Sequence, residues 1–191
     1  TTGSDGSIYI AGSTQGDLDG QTNINDSDGF ISKFNPDGTK EWTELSGNCE
    51  YGTALTTGSD GSIYIAGNTC GVFDGQTYNG GYSDVFIRKY NPDGTKDWAR
   101  LLGSSSNEYG KALTTANDGS IYIAGYTAGD IDGQTYSGGD GDAFISKYNP
   151  EGTKEWTKIL GTVGDDRGHA LTTGSDGSIY IAGFTEGDLD G

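Results

Sequence analysis

The chain repeats a short pattern in which β-branched and aromatic residues alternate between two sides. The segment Asp-Gly-Ser-Ile-Tyr-Ile-Ala-Gly stands at 5–12, 60–67, 118–125 and 176–183, with start-to-start separations of 55, 58 and 58 residues. Self-similarity at a fixed period of this size is the signature of a repeat architecture. A repeat unit buries its apolar surface only against its neighbours. We therefore expect one array rather than independent domains.

Each unit contains four segments with the composition of a strand. In the second unit they are A (53–57), B (62–66), C (85–90) and D (96–102). On strand B, a period of two puts Ile63 and Ile65 on one side and Tyr64 on the other. No segment has the 3.6-residue period of a helix. The pattern therefore predicts an all-β chain.

The connections between the predicted strands fall into two classes. The A–B turn at 58–61 and the C–D turn at 91–95 are short and rich in Gly, Asp and Pro, as hairpin turns are. The B–C loop (67–83) and the D–A loop (103–109) are long and differ between units. In an antiparallel meander the two classes emerge on opposite faces. The face with the long loops is the candidate working surface, because binding residues concentrate in variable loops on a rigid scaffold.

Four-stranded units of this length predict a β-propeller, whose blades pack face to face around an axis. Small residues such as Gly52 and Ala54 suit a crowded innermost strand A, which places Trp42, Trp98 and Trp156 on the outermost strand. The expected array is about three blades plus a partial one, with units near 1–52, 53–110, 111–168 and 169–191. An open β-solenoid is the alternative, but solenoids use shorter periods and parallel strands, whereas these turns are hairpin turns.

The repeat also resembles a known family. Gly-Ser-Ile-Tyr-Ile-Ala-Gly, a Gly/Asp loop, Asp-Ala-Phe-Ile-Ser-Lys-Tyr-Asn-Pro-Glu-Gly-Thr-Lys-Glu-Trp and then Leu-Gly stand at 119–161, with close copies at 6–47 and 61–103. This block is similar to the SBBP β-propeller repeat over nearly the whole chain. The resemblance implies an extracellular or surface-associated bacterial propeller, commonly a module of a larger protein. It transfers no catalytic residues.

The charge excludes several classes of partner. The chain has 28 acidic and 11 basic residues and a formal net charge of −17. Such a field repels phosphate backbones and anionic lipids, so nucleic acid is not an expected partner. No apolar run approaches the length of a membrane span, so membrane insertion is not expected either. A surface of Gly, Asp, Thr and Tyr is typical of a secreted bacterial protein and predicts an extracellular or cell-surface location.

Carboxylates concentrate in the B–C loops. The first, third and fourth copies carry Asp-x-Asp-Gly, the second has Val72-Phe73-Asp74-Gly75, and a further Asp precedes each complete strand C. Such carboxylates supply the hard oxygens that Ca²⁺ prefers, although the spacing is not that of an EF-hand. The candidate Ca²⁺ ligands are Asp17, Asp19, Asp28, Asp74, Asp84, Asp130, Asp132, Asp142, Asp188 and Asp190. The alternative is that they only hold turns through Asx hydrogen bonds.

Tyrosines in the same loops are candidate ligand-binding residues. They are Tyr78, Tyr82, Tyr126 and Tyr136. Their rings could stack on a sugar or on a protein partner, and the alternative is ordinary part-buried packing. The single histidine, His169, has no nucleophile elbow near it, and the sequence contains no phosphate loop and no Cys/His cluster. No catalytic residue is assigned.

The two cysteines, Cys49 and Cys70, are predicted to form a disulfide. If Thr57 lies opposite Ser62, paired residue numbers in the A–B hairpin sum to 119, and the two cysteine numbers also sum to 119. Opposed residues of an antiparallel pair lie within disulfide range. The alternative is a three-residue turn with a bulge, which would shift the register by one and leave the thiols unpaired. A bridge would indicate an oxidising compartment.

These observations favour a non-enzymatic extracellular binding or scaffold module with an acidic, tyrosine-bearing loop face, calcium as a candidate stabilising ion, and a glycan or protein ligand. One alternative is a carbohydrate-active enzyme, a hydrolase or lyase with loop carboxylates as acid and base. The other is a purely structural or engineered repeat. A closed propeller has about 4–8 blades, which is more than the three predicted here. We therefore expect the chain either to associate with copies of itself or to be completed by the remainder of a larger propeller.

Overall fold

The computed structural model describes residues 1–24, 27–47 and 49–189. These residues form thirteen strands. The strands are β1 (Ile8–Thr14), β2 (Asp28–Phe34), β3 (Lys40–Ser46), β4 (Glu50–Thr57), β5 (Ile63–Thr69), β6 (Asp84–Tyr90), β7 (Lys96–Leu102), β8 (Glu108–Thr115), β9 (Ile121–Thr127), β10 (Asp142–Tyr148), β11 (Lys154–Leu160), β12 (Asp166–Thr173) and β13 (Ile179–Thr185). Within the described ranges, no helix is long and apolar enough to cross a membrane.

The strands form four antiparallel meanders that follow the chain order. The first sheet is β1-β2-β3, the second β4-β5-β6-β7, the third β8-β9-β10-β11, and the last is the pair β12-β13. Thr2 forms a bridge with Ile8, so a stub of strand A is present beside β1. At the other end β12 packs on β8, β9 and β10 of the third sheet. The predicted all-β fold with four-stranded blades is confirmed.

Strands A and B are longer than the sequence pattern indicates. The predicted ranges 53–57 and 62–66 lengthen to Glu50–Thr57 and Ile63–Thr69. The added residues are mostly polar or glycine, which is why the sequence pattern predicts a loop there. They nevertheless continue the antiparallel pairing of the two strands, since Glu50 pairs with Thr69. The polar composition hides these strand ends because they lie at the crowded inner strand. Small side chains and paired polar groups take the place of apolar residues there.

The hydrophobic cores lie between neighbouring sheets. Ile63 and Ile65 of β5 pack with residues of the first sheet, such as Tyr9 and Ile31. Tyr64, on the opposite side of β5, belongs to the core shared with the third sheet. All three β5 residues are at most 2% exposed, and burying each isoleucine contributes roughly 1.5–3 kcal/mol. The second sheet is thus buried on both faces, as the alternation predicts.

Strand A is innermost and the tryptophans lie on the outermost strand, as predicted. Neighbouring A strands are joined by threonine side chains, since Thr115 Oγ1 donates to the Thr57 carbonyl at 3.0 Å and Thr173 Oγ1 to the Thr115 carbonyl at 3.3 Å. On the outer strand β7, Trp98 Nε1 donates to the Pro150 carbonyl of the next sheet at 3.1 Å. Contacts at both edges therefore tie the second sheet to the third.

The hairpin register differs by one residue from the prediction, and the disulfide nevertheless forms. Thr57 pairs with Ile63, not with Ser62, so paired numbers near the turn sum to 120. A bulge between Gly52 and Ala54 restores a sum of 119 towards the far end of the hairpin. The bridge between Cys49 and Cys70 is present, with a Cα–Cα distance of 5.6 Å. The disulfide prediction is confirmed, and the register from which it was argued is wrong.

Candidate functional site

Each complete B–C loop contains a two-residue hairpin turn. In the first loop Asp19 and Gly20 have φ angles of 53° and 78°, while Leu18 and Gln21 exchange backbone hydrogen bonds of 3.0 Å. Two successive residues with positive φ make a type I′ turn, for which Asp-Gly is the favoured pair. The same conformation recurs at Asp74-Gly75 and at Asp132-Gly133. The end of the Asp-x-Asp-Gly motif is therefore a turn signal.

A glutamine fixes this turn to the outer strand of its own sheet. Gln21 Nε2 donates to the Thr43 carbonyl at 2.6 Å, and Gln21 Oε1 accepts from the Leu45 amide at 3.0 Å. Gln76 makes the same two bonds to β7, at 2.9 and 3.0 Å. Because a strand edge is satisfied by this clamp, the first half of the B–C loop is part of the scaffold.

The second Asp of each motif is held by basic and hydroxyl side chains. Asp132 accepts hydrogen bonds from Lys154 and Thr157, and Asp19 accepts the equivalent pair. Asp74 instead accepts from Lys96 and, at 3.0 Å, from Arg88 Nε. Although burial works against its charge, those two bonds hold the pKa of Asp74 below its usual value.

The other candidate carboxylates accept backbone hydrogen bonds within the loops. The acceptors are Asp17 for the Asn23 amide at 3.0 Å, Asp28 for Ile24 at 3.1 Å, Asp84 for Asn79 at 2.9 Å, Asp130 for Tyr136 at 2.8 Å and Asp142 for Ser137 at 2.6 Å. Within the described ranges, no group of three or more His, Cys, Asp or Glu residues is placed to hold a metal ion. Asp188 follows β13, and Asp190 lies outside the described residues. Calcium binding stays a prediction.

Two buried carboxylates lie side by side between the second and third sheets. Asp84 is 0% exposed, and its Oδ1 has no hydrogen-bond partner. Burial, together with the nearby charge of Glu108, raises the pKa of Asp84 to about 6. Glu108 is also fully buried, and its carboxylate accepts the Ser104 amide at 2.7 Å. Asp142 has a raised pKa for the same reasons, burial first and then the charge of Asp166.

The long-loop face carries a tyrosine cleft between the second and third sheets. Its volume is about 320 Å³, and its walls are Tyr51, Thr53, Asn68, Thr69, Cys70, Tyr82, Ser83, Tyr109 and Lys111. Tyr51 is 45% exposed and Tyr82 is 84% exposed, so both rings face solvent. Asn68 donates to Ser83 Oγ at 3.1 Å, while its Oδ1 is buried without a partner. The cleft therefore combines exposed aromatic rings with the Lys111 ammonium, while the unpartnered Asn68 oxygen lies buried beneath its surface.

Stacked rings and two cations support one wall of the tyrosine cleft. The rings of Tyr109 and Tyr126 stack with centroids 4.8 Å apart. Lys111 Nζ lies 5.5 Å from the Tyr109 centroid, and Arg167 Cζ lies 4.6 Å from that of Tyr126. Burial raises the pKa of Tyr126, with Arg167 acting in the opposite direction. Tyr109 and Lys111 line the cleft, and Tyr126 and Arg167 extend the stack away from it.

The structure separates the four tyrosines chosen from the sequence. Tyr82 lines the cleft, and Tyr126 stacks behind Tyr109. Tyr136 donates its hydroxyl to the Gly139 carbonyl at 2.5 Å, and the Tyr78 hydroxyl is buried without a partner. Neither of these two lines the cleft.

Among the residues that line the cleft, sequence reasoning chose only Tyr82 as a ligand-binding residue, and it missed Tyr51, Tyr109 and Lys111 in particular. Tyr51 and Tyr109 occupy equivalent positions in a repeated Glu-Tyr-Gly triplet, and Lys111 follows two residues later on the same side of β8. They were overlooked because the triplet was assigned to the D–A loop. Recognising the triplet as the start of strand A would have placed alternate residues on one face of that strand, towards the neighbouring sheet.

Comparisons with known proteins agree with this architecture. The family described as "Domain of unknown function (DUF5122) beta-propeller" matches residues 58–97. The fold is a β-propeller-type repeat. Regulatory protein FlaEY of Caulobacter vibrioides is 33% identical over 167 residues, which cover 81% of this chain and 18% of that protein. The chain thus spans about a fifth of the length of this curated relative.

One solved structure is similar to part of this chain. It is a protein of unknown function from Bacteroides caccae, with a TM-score of 0.49 and 10% sequence identity. The alignment covers 82% of this chain and 48% of that one.

Proposed function

We propose that this β-propeller repeat is a non-enzymatic binding module and that the tyrosine cleft holds its ligand. The observation that carries the proposal is the grouping of Tyr51, Tyr82 and Tyr109 around one cavity with Asn68 and Lys111. An aromatic face packs against the C–H face of a sugar ring, while an ammonium group such as that of Lys111 donates to its hydroxyls. The ligand class that fits best is a glycan.

The enzyme alternative requires a pair of carboxyls, one of them protonated, in a cleft. The cavity with several carboxylates, between the first and second sheets, includes Glu50 and Asp74. Glu50 accepts two hydrogen bonds from Arg88, at 2.9 and 3.0 Å, and the lowered pKa of Asp74 keeps it ionised. Paired, ionised groups are poor general acids, which supports the binding role. The tyrosine cleft itself is not lined by a carboxylate among the described residues.

The proposal includes an extracellular or cell-surface location and an SBBP-type repeat. The bridge between Cys49 and Cys70 supports an oxidising compartment, and the net charge of −17 suits a secreted, soluble surface. The word "regulatory" in the name of the Caulobacter vibrioides relative is compatible with a module that binds rather than catalyses. Calcium in the B–C loops is kept as a prediction, with its own test below.

A glycan array with and without EDTA tests the proposal. The wild-type chain should retain a defined set of glycans, and Tyr82→Ala should lose them because Tyr82 is 84% exposed in the cleft wall. Tyr180→Ala is the matched control, since Tyr180 is 57% exposed and lies outside the cleft. Retention of no glycan, or equal retention by Tyr82→Ala, would contradict the proposal. It would favour a protein ligand or a purely structural repeat.

A further inference from the structure

The interface between the second and third sheets is closed by one arginine. Arg100 Nε donates to the Gly152 carbonyl at 2.6 Å, and Nη2 donates to the Glu151 carbonyl at 3.2 Å. The guanidinium carbon lies 5.2 Å from the Trp98 ring centroid. Planar donors aimed at carbonyl oxygens and an aromatic face below are the contacts that suit a guanidinium.

The interface between the first and second sheets has the same backbone frame but lacks this arginine. A Cβ on Gly94 would lie 3.0 Å from Trp42, just as one on Gly152 would lie 2.8 Å from Trp98. The repeat places Glu44 at the position equivalent to Arg100. A carboxylate has no N–H to offer the carbonyls of the facing turn.

The missing side chain leaves an open groove. Its volume is about 410 Å³, and its walls include Glu44, Ser46, Glu50, Asp74, Arg88, Tyr90, Gly94 and Lys96. Ser46 of β3 occupies the position that Leu102 has on β7, at the interface between the second and third sheets, where Leu102 is 2% exposed. Among the residues that the structure describes, none donates a hydrogen bond to the Asp93 or Gly94 carbonyl. The indole N–H of Trp42 is buried and has no acceptor, whereas that of Trp98 donates to the Pro150 carbonyl.

The charges of the groove leave one carboxylate unused. Arg88 donates to Glu50 and Asp74, and Lys96 donates to Asp74. Glu44 is exposed and has no ion pair within the described part of the chain. The groove therefore offers the Glu44 carboxylate and the free carbonyl of Gly94 in its wall, with the Trp42 ring packed beside Gly94. A carboxylate and a carbonyl oxygen are complementary to a guanidinium.

We propose that this groove binds an arginine side chain of a partner protein, in the place that Arg100 takes at the next interface. The partner segment is basic, since a net charge of −17 attracts it and disfavours acidic competitors. Arg100 itself supplies the template, because the acceptors at Glu151 and Gly152 correspond to those at Asp93 and Gly94. This site is separate from the tyrosine cleft and does not depend on the glycan proposal.

An NMR titration with Nα-acetyl-arginine amide tests the site. The resonances of the Trp42 indole N–H and the Gly94 amide should shift, while those of Trp98 and Gly152 should not. Nα-acetyl-citrulline amide has nearly the same shape without the charge and should produce no comparable shift. Glu44→Arg should fill the groove from within, abolish the shifts and raise the melting temperature.

Two further variants separate the site from the general acidity of the chain. Glu155→Arg makes the same charge change on the outer strand of the third sheet and should leave probe binding intact. Arg100→Glu should open the second groove and add shifts at Trp98 and Gly152. The proposal is overturned if citrulline amide shifts Trp42 as much as arginine amide does, or if Glu44→Arg still binds the probe.

Discussion

Cys49 and Cys70 face each other at the open end of the β4–β5 hairpin because two one-residue offsets cancel. The turn shifts the pairing by one residue, and the bulge between Gly52 and Ala54 shifts it back. The Cα atoms are consequently 5.6 Å apart, and the Cys70 amide donates to the Cys49 carbonyl at 3.3 Å. Neither offset is visible in the spacing of apolar residues.

The disulfide is expected to stabilise the second sheet. It closes a loop with a sequence separation of 21 residues, for which the chain-entropy model gives about 3 kcal/mol. Cys49→Ser with Cys70→Ser should lower the free energy of unfolding by about that amount, measured by urea denaturation. Protein purified without reductant should show no titratable thiol when denatured. Two titratable thiols, or an unchanged unfolding midpoint in the double variant, would contradict the expectation.

Arg88 is expected to be essential to the second sheet. It is 3% exposed and neutralises Glu50, which is 1% exposed, so Arg88→Ser leaves a buried charge and should cost about 3–5 kcal/mol. Adding Glu50→Gln should recover part of that loss. Lys89→Ser is the matched control, because the ion pair of Lys89 with Asp97 is largely exposed on the Asp97 side and should contribute about 1 kcal/mol or less. Equal losses from Arg88→Ser and Lys89→Ser in urea unfolding would contradict this account.

The raised pKa of Asp84 predicts a pH dependence of stability. Below about pH 4 the carboxyl is neutral in both the folded and the unfolded chain, and the folded form incurs no penalty. As pH rises through the folded pKa of about 6, the unfolded chain ionises first, so stability falls by up to about 3 kcal/mol. Between about pH 4 and 7, the free energy of unfolding of Asp84→Asn should therefore rise relative to that of wild type by that amount, measured by urea denaturation at each pH.

The equivalent residue of the third sheet gives a second test of the pH prediction. Asp142 is also fully buried, and burial together with the charge of Asp166 raises its pKa. Asp142→Asn should therefore also become more stable relative to wild type as the pH rises. Parallel stability curves for wild type and Asp84→Asn would show that the burial of Asp84 carries no such penalty.

Calcium in the B–C loops has its own test. A calcium-stabilised loop would melt at a lower temperature in EDTA, and Asp130→Asn with Asp132→Asn would remove the difference. The bonds from Lys154 and Thr157 to Asp132 already satisfy that carboxylate, so we expect equal melting temperatures with and without EDTA. A clear fall in EDTA that the double variant abolishes would establish the metal instead.

The fold could be predicted from the sequence because the strand and turn signals within each unit agree with the way the units pack together. The alternation of Ile63, Tyr64 and Ile65 indicates a strand buried on both faces. The Asn91–Thr95 turn has the predicted hairpin bonds, with the Asn91 amide donating to the Thr95 carbonyl at 2.8 Å. These signals lie within a few residues of one another, so one sequence suffices to recognise them.

The candidate site could be predicted only in part because it arises between sheets. Tyr82 lies in the loop before β6 of the second sheet, and Tyr109 lies on β8 of the third. Only the packing of β4 and β5 on β8 brings them to one cavity. Arg88 is a second feature that the sequence alone does not explain. At the positions of Arg88 and Ala99, the first and third sheets have a Ser and a Thr that are hydrogen-bonded to each other. Only the structure shows that Arg88 and Ala99 lie opposite each other, so that the two differences compensate.

The most direct test of the binding role is an NMR titration with the oligosaccharide that the array selects. The account predicts saturable binding with shifts at Tyr51, Tyr109 and Lys111, no binding by Tyr82→Ala, and an oligosaccharide that is recovered intact after prolonged incubation. Release of shortened products, or binding that Tyr82→Ala leaves unchanged, would contradict the claim that the tyrosine cleft holds a ligand without transforming it.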